Sequence, residues 1–244
     1  VNKSFIVQRS LQMREMLASS ARMSRYMHFA VSQKNENIWI AQREGRAKDS
    51  DDRTQDSILK MMAMGGEGDV IDRLMELHIV PLSISYEYDP CDYLKAAEFQ
   101  MKRDNPDYVK TRENDLLNMS TGIYGYKGRV HYSPAPCIDA WLSTLDRSMK
   151  KGELFETIAR HIDREIFSHY RLYPANYVAA DLLGGTSRFA PKYTEEEKKK
   201  FEEYIASRLE KVDLPDKDNA FLRERILTMY ANPALNHLKA VGEL

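Results

Sequence analysis

The sequence is poor in cysteine and has no long apolar run. Only Cys91 and Cys137 occur among its 244 residues. Two cysteines are too few for a disulfide framework or a cysteine-rich zinc site, so a reduced, cytoplasmic setting is the simplest interpretation. No segment approaches the roughly 20 apolar residues that a membrane-spanning helix needs. These absences predict a globular chain that crosses no membrane through the residues given.

The chain also has almost no net charge. Its 36 basic and 37 acidic residues give a formal charge of −1 at pH 7. A balance of this kind provides no general attraction to nucleic acid or to an anionic lipid surface. With 43% hydrophobic residues, the length suffices for one large domain, or for one domain with a helical appendage.

Apolar periodicity predicts the order of the secondary structure. Three short apolar runs predict strands at 4–9, 37–42 and 79–86. The segments between them predict helices at 10–33, near 55–64 and 69–77. Strands that alternate with helices in this order are typical of a parallel sheet with crossover helices. We therefore expect an α/β fold, with a mostly parallel sheet, followed by a C-terminal helical region.

The second half of the chain has a different pattern. Residues 123–132 alternate as a late strand would, and Pro134 and Pro136 then end it. Apolar residues recur at helical spacing over 154–170, where His161 and His169 are interpreted as structural. Two more amphipathic helices follow the glycines at 184 and 185. We expect an α/β core over 1–133 and a helical extension over 134–244 that packs on it.

A charged loop follows the apolar run that ends near Gln42. Glu44, Gly45 and Arg46 open this loop, which carries four cations and four acids and hence no net charge. Glycine allows the backbone to approach a ligand closely, and a guanidinium can bind phosphate through paired hydrogen bonds. An isolated Glu-Gly-Arg tripeptide is usually a solvated loop, so its meaning depends on the segments that accompany it.

Two further segments accompany that loop. Phe5-Ile6-Val7-Gln8-Arg9 is an apolar run closed by an arginine, and His78-Ile79-Val80-Pro81 opens a third run that ends in Tyr86-Glu87-Tyr88. In this order, the three segments resemble the second, third and fourth sequence blocks of the glycerolipid acyltransferase family. The resemblance covers about the first ninety residues and is specific in the combination of blocks.

The resemblance implies acyl transfer in phospholipid biosynthesis. The donor would be acyl-CoA or acyl carrier protein, and the acceptor a hydroxyl of glycerol-3-phosphate or lysophosphatidate. By the same resemblance, Arg9 and Arg46 hold the acceptor phosphate, while Glu44 and Gly45 shape its pocket and the run at 80–84 walls it. No cofactor and no metal site are implied, and the expected location is the cytoplasm, with peripheral contact at the inner face of the membrane.

The sequence departs from the family pattern in two ways. Glu44-Gly45-Arg46 has no residue between the glycine and the arginine. The first block of the family, a histidine with an aspartate five positions on, is absent, since none of the six histidines has that aspartate. We expect this catalytic pair to precede Val1 in a longer protein, so the residues present contribute substrate-binding groups and the fragment alone is inactive.

Two alternatives from other functional classes stay open. One is a non-catalytic module that binds a phosphorylated lipid or metabolite with the same loop. The other is an α/β phosphate-ester hydrolase that uses Glu44 or an aspartate within 49–52 as base and needs a metal there. A calcium-binding EF-hand beginning at Asp49 is excluded, because Thr54 and Lys60 occupy the positions of its turn glycine and its bidentate glutamate.

Overall fold

The computed structural model describes residues 12–43, 45 and 47–244. It is 58% helix and 4% strand, and its one sheet has two antiparallel strands. The predicted α/β fold with a mostly parallel sheet and crossover helices is therefore wrong. The alternation of apolar runs and helices correctly indicated most helices, but it assigned a strand to 37–42, where the described chain has none.

The run at 37–42 shows why the strand prediction failed. These residues have no strand partner in the described part of the chain, and Trp39 is 67% exposed. A short apolar run cannot be assigned to a strand by its periodicity alone, because a strand also needs a neighbouring edge with which to pair. The first predicted strand, 4–9, lies outside the described residues.

The described chain contains ten α-helices, two strands and one 3₁₀ turn at Ala190–Lys192. The strands are β1 (Leu82–Tyr86) and β2 (Val130–Pro134). The helices are α1 (Met13–Ser32), α2 (Asp56–Met62), α3 (Val70–Met75), α4 (Asp92–Asp104), α5 (Arg112–Tyr124), α6 (Asp139–Leu142), α7 (Lys151–Ser168), α8 (Pro174–Gly184), α9 (Glu195–Glu210) and α10 (Asn219–Val241). The helices predicted at 10–33, 55–64, 69–77 and 154–170 are confirmed as α1, α2, α3 and α7.

The chain divides into two compact units. Unit 1 comprises 1–45, 53–81 and 134–165, and unit 2 comprises 46–52, 82–133 and 166–244. Both units take chain from either side of residue 133, where sequence analysis placed the domain division. The α/β character predicted for 1–133 is wrong. The described residues of that range contain only β1 and most of β2, and these two strands form an antiparallel pair.

Unit 1 is organised around a buried polar contact of α1. Ser24 Oγ donates to the carbonyl oxygen of Met62 (2.8 Å) and accepts from the amide of Gly65 (2.8 Å). A Cβ at Gly65 would lie 2.8 Å from the ring of His28, so only glycine fits there. Serine and glycine thus let the end of α2 approach α1 closely without leaving a buried polar group unpaired.

Unit 2 has an apolar core between its C-terminal helices. The long helix α10 packs on α8 and α4. Phe201, Leu222 and Ile226 are among the fully buried side chains of this core. The helix α8 ends where Gly185 adopts a left-handed conformation (φ 61°), which confirms the break expected at these glycines.

Candidate functional site

Unit 2 contains a cavity of about 440 Å³, a size suited to a small organic ligand. It is lined by Ala47, Ser50, Asp52, Ile84, Ser85, Tyr86, Asp89, Pro90, Cys91, Lys95, Gly122, Lys127, Tyr170, Arg171, Asn176, Met229, Tyr230 and Pro233. The first three follow the Glu-Gly-Arg loop directly, and the next three belong to β1. The cavity therefore brings the segment 47–52 together with β1.

The β1 wall is held by serines. Ser83 and Ser85 are buried at alternate positions of the strand, whereas Ile84 between them is only partly buried. Ser83 Oγ donates to the carbonyl oxygen of His169 (2.9 Å), and Ser85 Oγ accepts from the amide of Arg171 (2.9 Å). These bonds fasten the chain after α7 to the strand, which fixes Arg171 at the cavity.

The loop at 47–52 is fastened to helices of unit 2. The Asn232 amide donates to the carbonyl oxygen of Asp49 (2.8 Å), and the Asn236 amide donates to Asp51 Oδ1 (2.9 Å). Lys48 pairs with Glu98 of α4. This part of the loop is therefore a built wall and not a freely solvated turn.

Two acids of that loop accept hydrogen bonds from main-chain amides of the loop itself. Asp49 Oδ1 accepts from the amide of Asp51 (3.2 Å), and Asp52 Oδ1 accepts from the amide of Ala47 (3.3 Å). Among the described residues, the only His/Cys/Asp/Glu group with metal-ligand spacing lies elsewhere, in unit 1. The described acids of the loop therefore provide no support for the hydrolase alternative, which needs a metal there.

A buried polar network supports the floor of the cavity. Asp92 is fully buried and accepts from Arg208 Nε (2.5 Å), from the Tyr204 hydroxyl (2.7 Å) and from the Tyr230 hydroxyl (2.9 Å). The Tyr230 hydroxyl also accepts from the amide of Asp89 (3.0 Å). Because Asp89 and Tyr230 line the cavity, the network fixes the wall at the start of α4.

Burial controls the acid–base properties of this network. Burial raises the pKa of the Asp92 carboxyl, while Arg208 and Tyr204 oppose that rise by stabilising the carboxylate. Burial and the nearby Asp92 raise the pKa of Tyr204, and the same two causes raise the pKa of Tyr230. Both phenols therefore stay protonated and serve as donors.

Three cations reach the cavity, and they differ in their partners. Lys95 pairs with Asp89 (2.5 Å). The Lys127 ammonium donates to the carbonyl oxygens of Ile123 (3.0 Å) and Gly125 (2.9 Å). Among the described residues, no carboxylate pairs with Lys127 or Arg171. With Lys95 they outnumber the carboxylates of Asp52 and Asp89, which also line the cavity, so the cavity is a candidate anion site.

Glu87 fixes the far end of β1. Its Oε2 accepts from Arg129 Nε (3.0 Å) and from the Arg129 amide (2.9 Å), while its Oε1 accepts from the guanidinium NH2 (3.0 Å). Arg129 holds the pKa of the Glu87 carboxyl below its usual value, against the effect of burial. Glu87 thus fastens Arg129, the residue before β2, to the end of β1.

The predicted site residues are only partly within the described chain. Arg9, Glu44 and Arg46 lie outside it, so their assignment to phosphate binding and pocket shape stays a prediction. Gly45 adopts a left-handed conformation (φ 75°), and a Cβ there would meet no atom within 4 Å. The backbone angle, and not a close approach, is what favours glycine at this position. The strand expected to deliver the loop, 37–42, is absent.

Sequence analysis missed Lys127 and Arg171 as candidate binding residues. Neither is part of a resembling block, and both are distant in sequence from the loop at 47–52. One available signal was the position of Arg171 just after the helix predicted to end at 170. Their convergence depends on the serine bonds of β1 and on its pairing with β2, which a linear pattern does not reveal.

Two histidines of unit 1, His161 and His28, play structural parts. The His161 ring stacks on Trp141 with ring centroids 3.6 Å apart, and burial lowers the pKa of this imidazole. His28 lies between Glu76 Oε2 (3.0 Å) and the carbonyl oxygen of Met62 (3.0 Å), so both ring nitrogens are occupied. No histidine lines the cavity of unit 2.

Comparison with known proteins adds no relative. No family model, no curated protein and no solved structure matches this chain. None of the described helices has the length and apolar character needed to cross a bilayer. The functional argument consequently rests on the residues and on the geometry of the cavity.

Proposed function

We propose that the chain contributes the acceptor-binding part of an acyltransferase that transfers an acyl group from a thioester to a hydroxyl of glycerol-3-phosphate or lysophosphatidate. The observation that carries this proposal is the cavity of unit 2. It is lined by residues that follow the Glu-Gly-Arg loop and by residues of β1, which are distant from them in sequence. The proposal does not depend on the α/β fold, which is absent.

 The segment 47–52 and β1 meet at this cavity because the segment bonds to α10 and the strand bonds to the chain after α7.

The phosphate of the acceptor is assigned to the unneutralised cations of the cavity. Arg171 offers a guanidinium that can bind two phosphate oxygens at once, and Lys127 adds a second positive charge. Charge-assisted hydrogen bonds of this kind contribute about 1.5 to 3 kcal/mol each. Arg9 and Arg46 stay as predicted further contributors to the same phosphate.

The remaining lining suits the glycerol and the beginning of an acyl chain. Ile84, Met229 and Pro233 give apolar surface, while Ser50 and Asn176 give hydrogen-bonding groups. A site with apolar walls and a few placed polar groups is typical for small ligands. The cavity can therefore hold an acceptor by its phosphate and leave a hydroxyl for reaction.

The chemistry assigned to these residues is binding and orientation. In acyl transfer the acceptor hydroxyl attacks the thioester carbonyl carbon, loses its proton to a base, and the thiol leaves. Since no histidine lines the cavity, we assign no base among its residues. Holding the phosphate fixes the hydroxyl relative to the donor, which converts an encounter of two molecules into a reaction within one complex.

A pair of matched ligands tests the proposal. Titration calorimetry would compare a short-chain lysophosphatidate with the monoacylglycerol that lacks only its phosphate. We expect the phosphate to tighten binding about tenfold or more, and Arg171→Ala to remove most of that difference. Lys211→Ala, an exposed lysine of unit 2 outside the cavity, is the matched control and should bind as the wild type does. Equal affinity for both ligands would contradict the proposal.

An acyl-transfer assay separates this proposal from the binding-module alternative. Radiolabelled acyl-CoA is mixed with glycerol-3-phosphate and the protein extended by the predicted histidine and aspartate block. Product formation that falls in Arg171→Ala supports an acyltransferase. Phosphate-dependent binding without any product, in the protein that carries this block, would support the binding module instead.

A further inference from the structure

Unit 1 contains a cluster of three potential metal ligands that the cavity does not use. His78, Cys137 and Asp139 each place one ligand atom within 4.8 Å of the other two. The His78 Nδ1 atom lies 2.6 Å from Asp139 Oδ2. Their distance along the chain, 61 residues between His78 and Asp139, hides the cluster from any spacing pattern in the sequence.

The two segments that supply these side chains are joined by main-chain hydrogen bonds. The Ile138 amide donates to the carbonyl oxygen of Ile79 (3.0 Å), and the Ala135 amide donates to that of Pro81 (2.8 Å). Ile138 is itself buried between the two ligands that flank it in sequence. The ligand atoms are consequently held near one another before any ion binds, which reduces the cost of ordering them.

An unpaired oxygen of Asp139 indicates a ligand at this cluster. His78 has a left-handed backbone (φ 49°), which is uncommon for a residue other than glycine, asparagine or aspartate. Asp139 Oδ1 is buried, and no N–H or O–H group of the described residues bonds to it. Buried carboxylate oxygens nearly always have a partner, so an unpaired one calls for an explanation.

We propose that His78, Cys137 and Asp139 form a Zn²⁺ site. A thiolate, an imidazole and a carboxylate together are a typical zinc ligand set, and hard cations such as Mg²⁺ do not select sulfur. Three protein ligands leave the fourth tetrahedral position to water. The ion would satisfy the unpaired oxygen of Asp139 and would fasten the chain after α3 to the start of α6.

Zinc binding at this cluster has a defined proton balance. The Cys137 thiol loses its proton on binding the ion, and the imidazole must be neutral at its coordinating nitrogen. Partial burial raises the pKa of the Cys137 thiol, and the Asp139 carboxylate adds to that rise. The protons go to solvent, so zinc affinity should fall as the pH is lowered.

Cobalt substitution provides the test. One equivalent of Co²⁺ added to the reduced protein should produce the near-ultraviolet charge-transfer band of a cobalt–thiolate bond, and Zn²⁺ should abolish it by displacement. Cys137→Ser should lose the band, whereas Cys91→Ser should keep it. His78→Asn, which tolerates the left-handed backbone, and Asp139→Asn should each weaken Co²⁺ binding about tenfold or more.

A second measurement keeps the proposal falsifiable if a variant fails to fold. In the wild-type protein, Zn²⁺ should slow alkylation of the exposed Cys137, and the buried Cys91 provides an internal reference. A cobalt band that survives in Cys137→Ser, or unchanged binding in Asp139→Asn, would overturn the assigned ligands. Absence of any band together with unchanged alkylation would overturn the site.

Discussion

Two regions of unit 2 treat their charged groups in opposite ways. At the centre, Asp92 is fully buried and bonds to Arg208 and to two tyrosine hydroxyls. At the cavity, Arg171 is exposed and pairs with no carboxylate of the described chain. In the first region the buried carboxylate and guanidinium form an ion pair, whereas in the second region the guanidinium of Arg171 has no ion-pair partner among the described residues.

The difference indicates which charges stabilise the protein and which serve a ligand. A buried charge without its partner is strongly destabilising, so loss of a member of the Asp92 network should lower the stability of unit 2. An exposed cation costs little when it is unpaired, because water solvates it. Arg171 can therefore be available to an anion without loss of stability, and substitutions in the two regions should separate folding from binding.

The largest expected effect is that of Asp92→Ala. Removing the carboxylate leaves the buried guanidinium of Arg208 without its ion partner, and breaking a buried pair in this way costs about 3 to 5 kcal/mol. The free energy of unfolding, measured in urea, should fall by that amount. Asp92→Asn keeps the volume and part of the hydrogen bonding, and it should cost less. A loss below about 1 kcal/mol in Asp92→Ala would remove the contrast between the two regions.

Arg171→Ala should show the opposite behaviour. Its stability should stay within about 0.5 kcal/mol of the wild type, as for other surface substitutions. Binding of lysophosphatidate should weaken by about 1.5 to 3 kcal/mol, the value of a charge-assisted hydrogen bond. Unfolding curves and calorimetric titrations on the same sample check both quantities. A variant that is destabilised and binds normally would assign Arg171 to the fold.

Asn236→Ala should lie between these two cases. Asn236 is buried and holds Asp51 of the cavity loop, so its loss should lower stability by about 1 to 2 kcal/mol. Ligand binding should weaken as well, because the loop wall is released. Thr228→Ala, at a partly buried position of α10 outside the cavity lining, is a control for changes in the helix alone. An equal loss of stability and of ligand affinity in both variants would show that the contact between Asn236 and Asp51 contributes to neither.

The smallest effect concerns the pH dependence of Glu87. Its pKa is lowered in the folded state, chiefly by its hydrogen bond with Arg129. The ion pair therefore contributes its full stability at pH values above the usual pKa of 4.5, and this contribution is lost as the pH falls through the pKa of the folded state. The difference in unfolding free energy between the wild type and Glu87→Gln should accordingly shrink below about pH 4.5. Urea unfolding at pH 7 and at pH 3.5 measures it. A difference that stays constant would show that the carboxylate charge is not involved.

Sequence reasoning succeeded where local periodicity decides the structure. The apolar spacing of α1 and α7 and the glycines after α8 predicted those elements closely, because helices are determined largely by nearby residues. The run at 37–42 failed, since a strand depends on a partner elsewhere in the chain. The strand predicted at 79–86 is present as β1, and its buried face carries Ser83 and Ser85, which bond to the chain after α7.

The candidate site could be predicted only in part for the same reason. The loop at 47–52 and β1 line one cavity, whereas the assignment of Arg9, Glu44 and Arg46 to that site stays a prediction. Lys127 and Arg171 could not be found, because the pairing of β1 with β2 and the side chains of Ser83 and Ser85 bring them there. The cluster of His78, Cys137 and Asp139 likewise depends on two segments that meet only after folding.

Mapping of the phosphate site by NMR tests the central claim most directly. Glycerol-3-phosphate is titrated into labelled protein, and glycerol provides the comparison without phosphate. The account predicts that amide signals of 47–52, 84–86 and Arg171 shift in a saturable way with glycerol-3-phosphate and not with glycerol. Equal shifts with both compounds, or shifts confined to residues of unit 1, would contradict it.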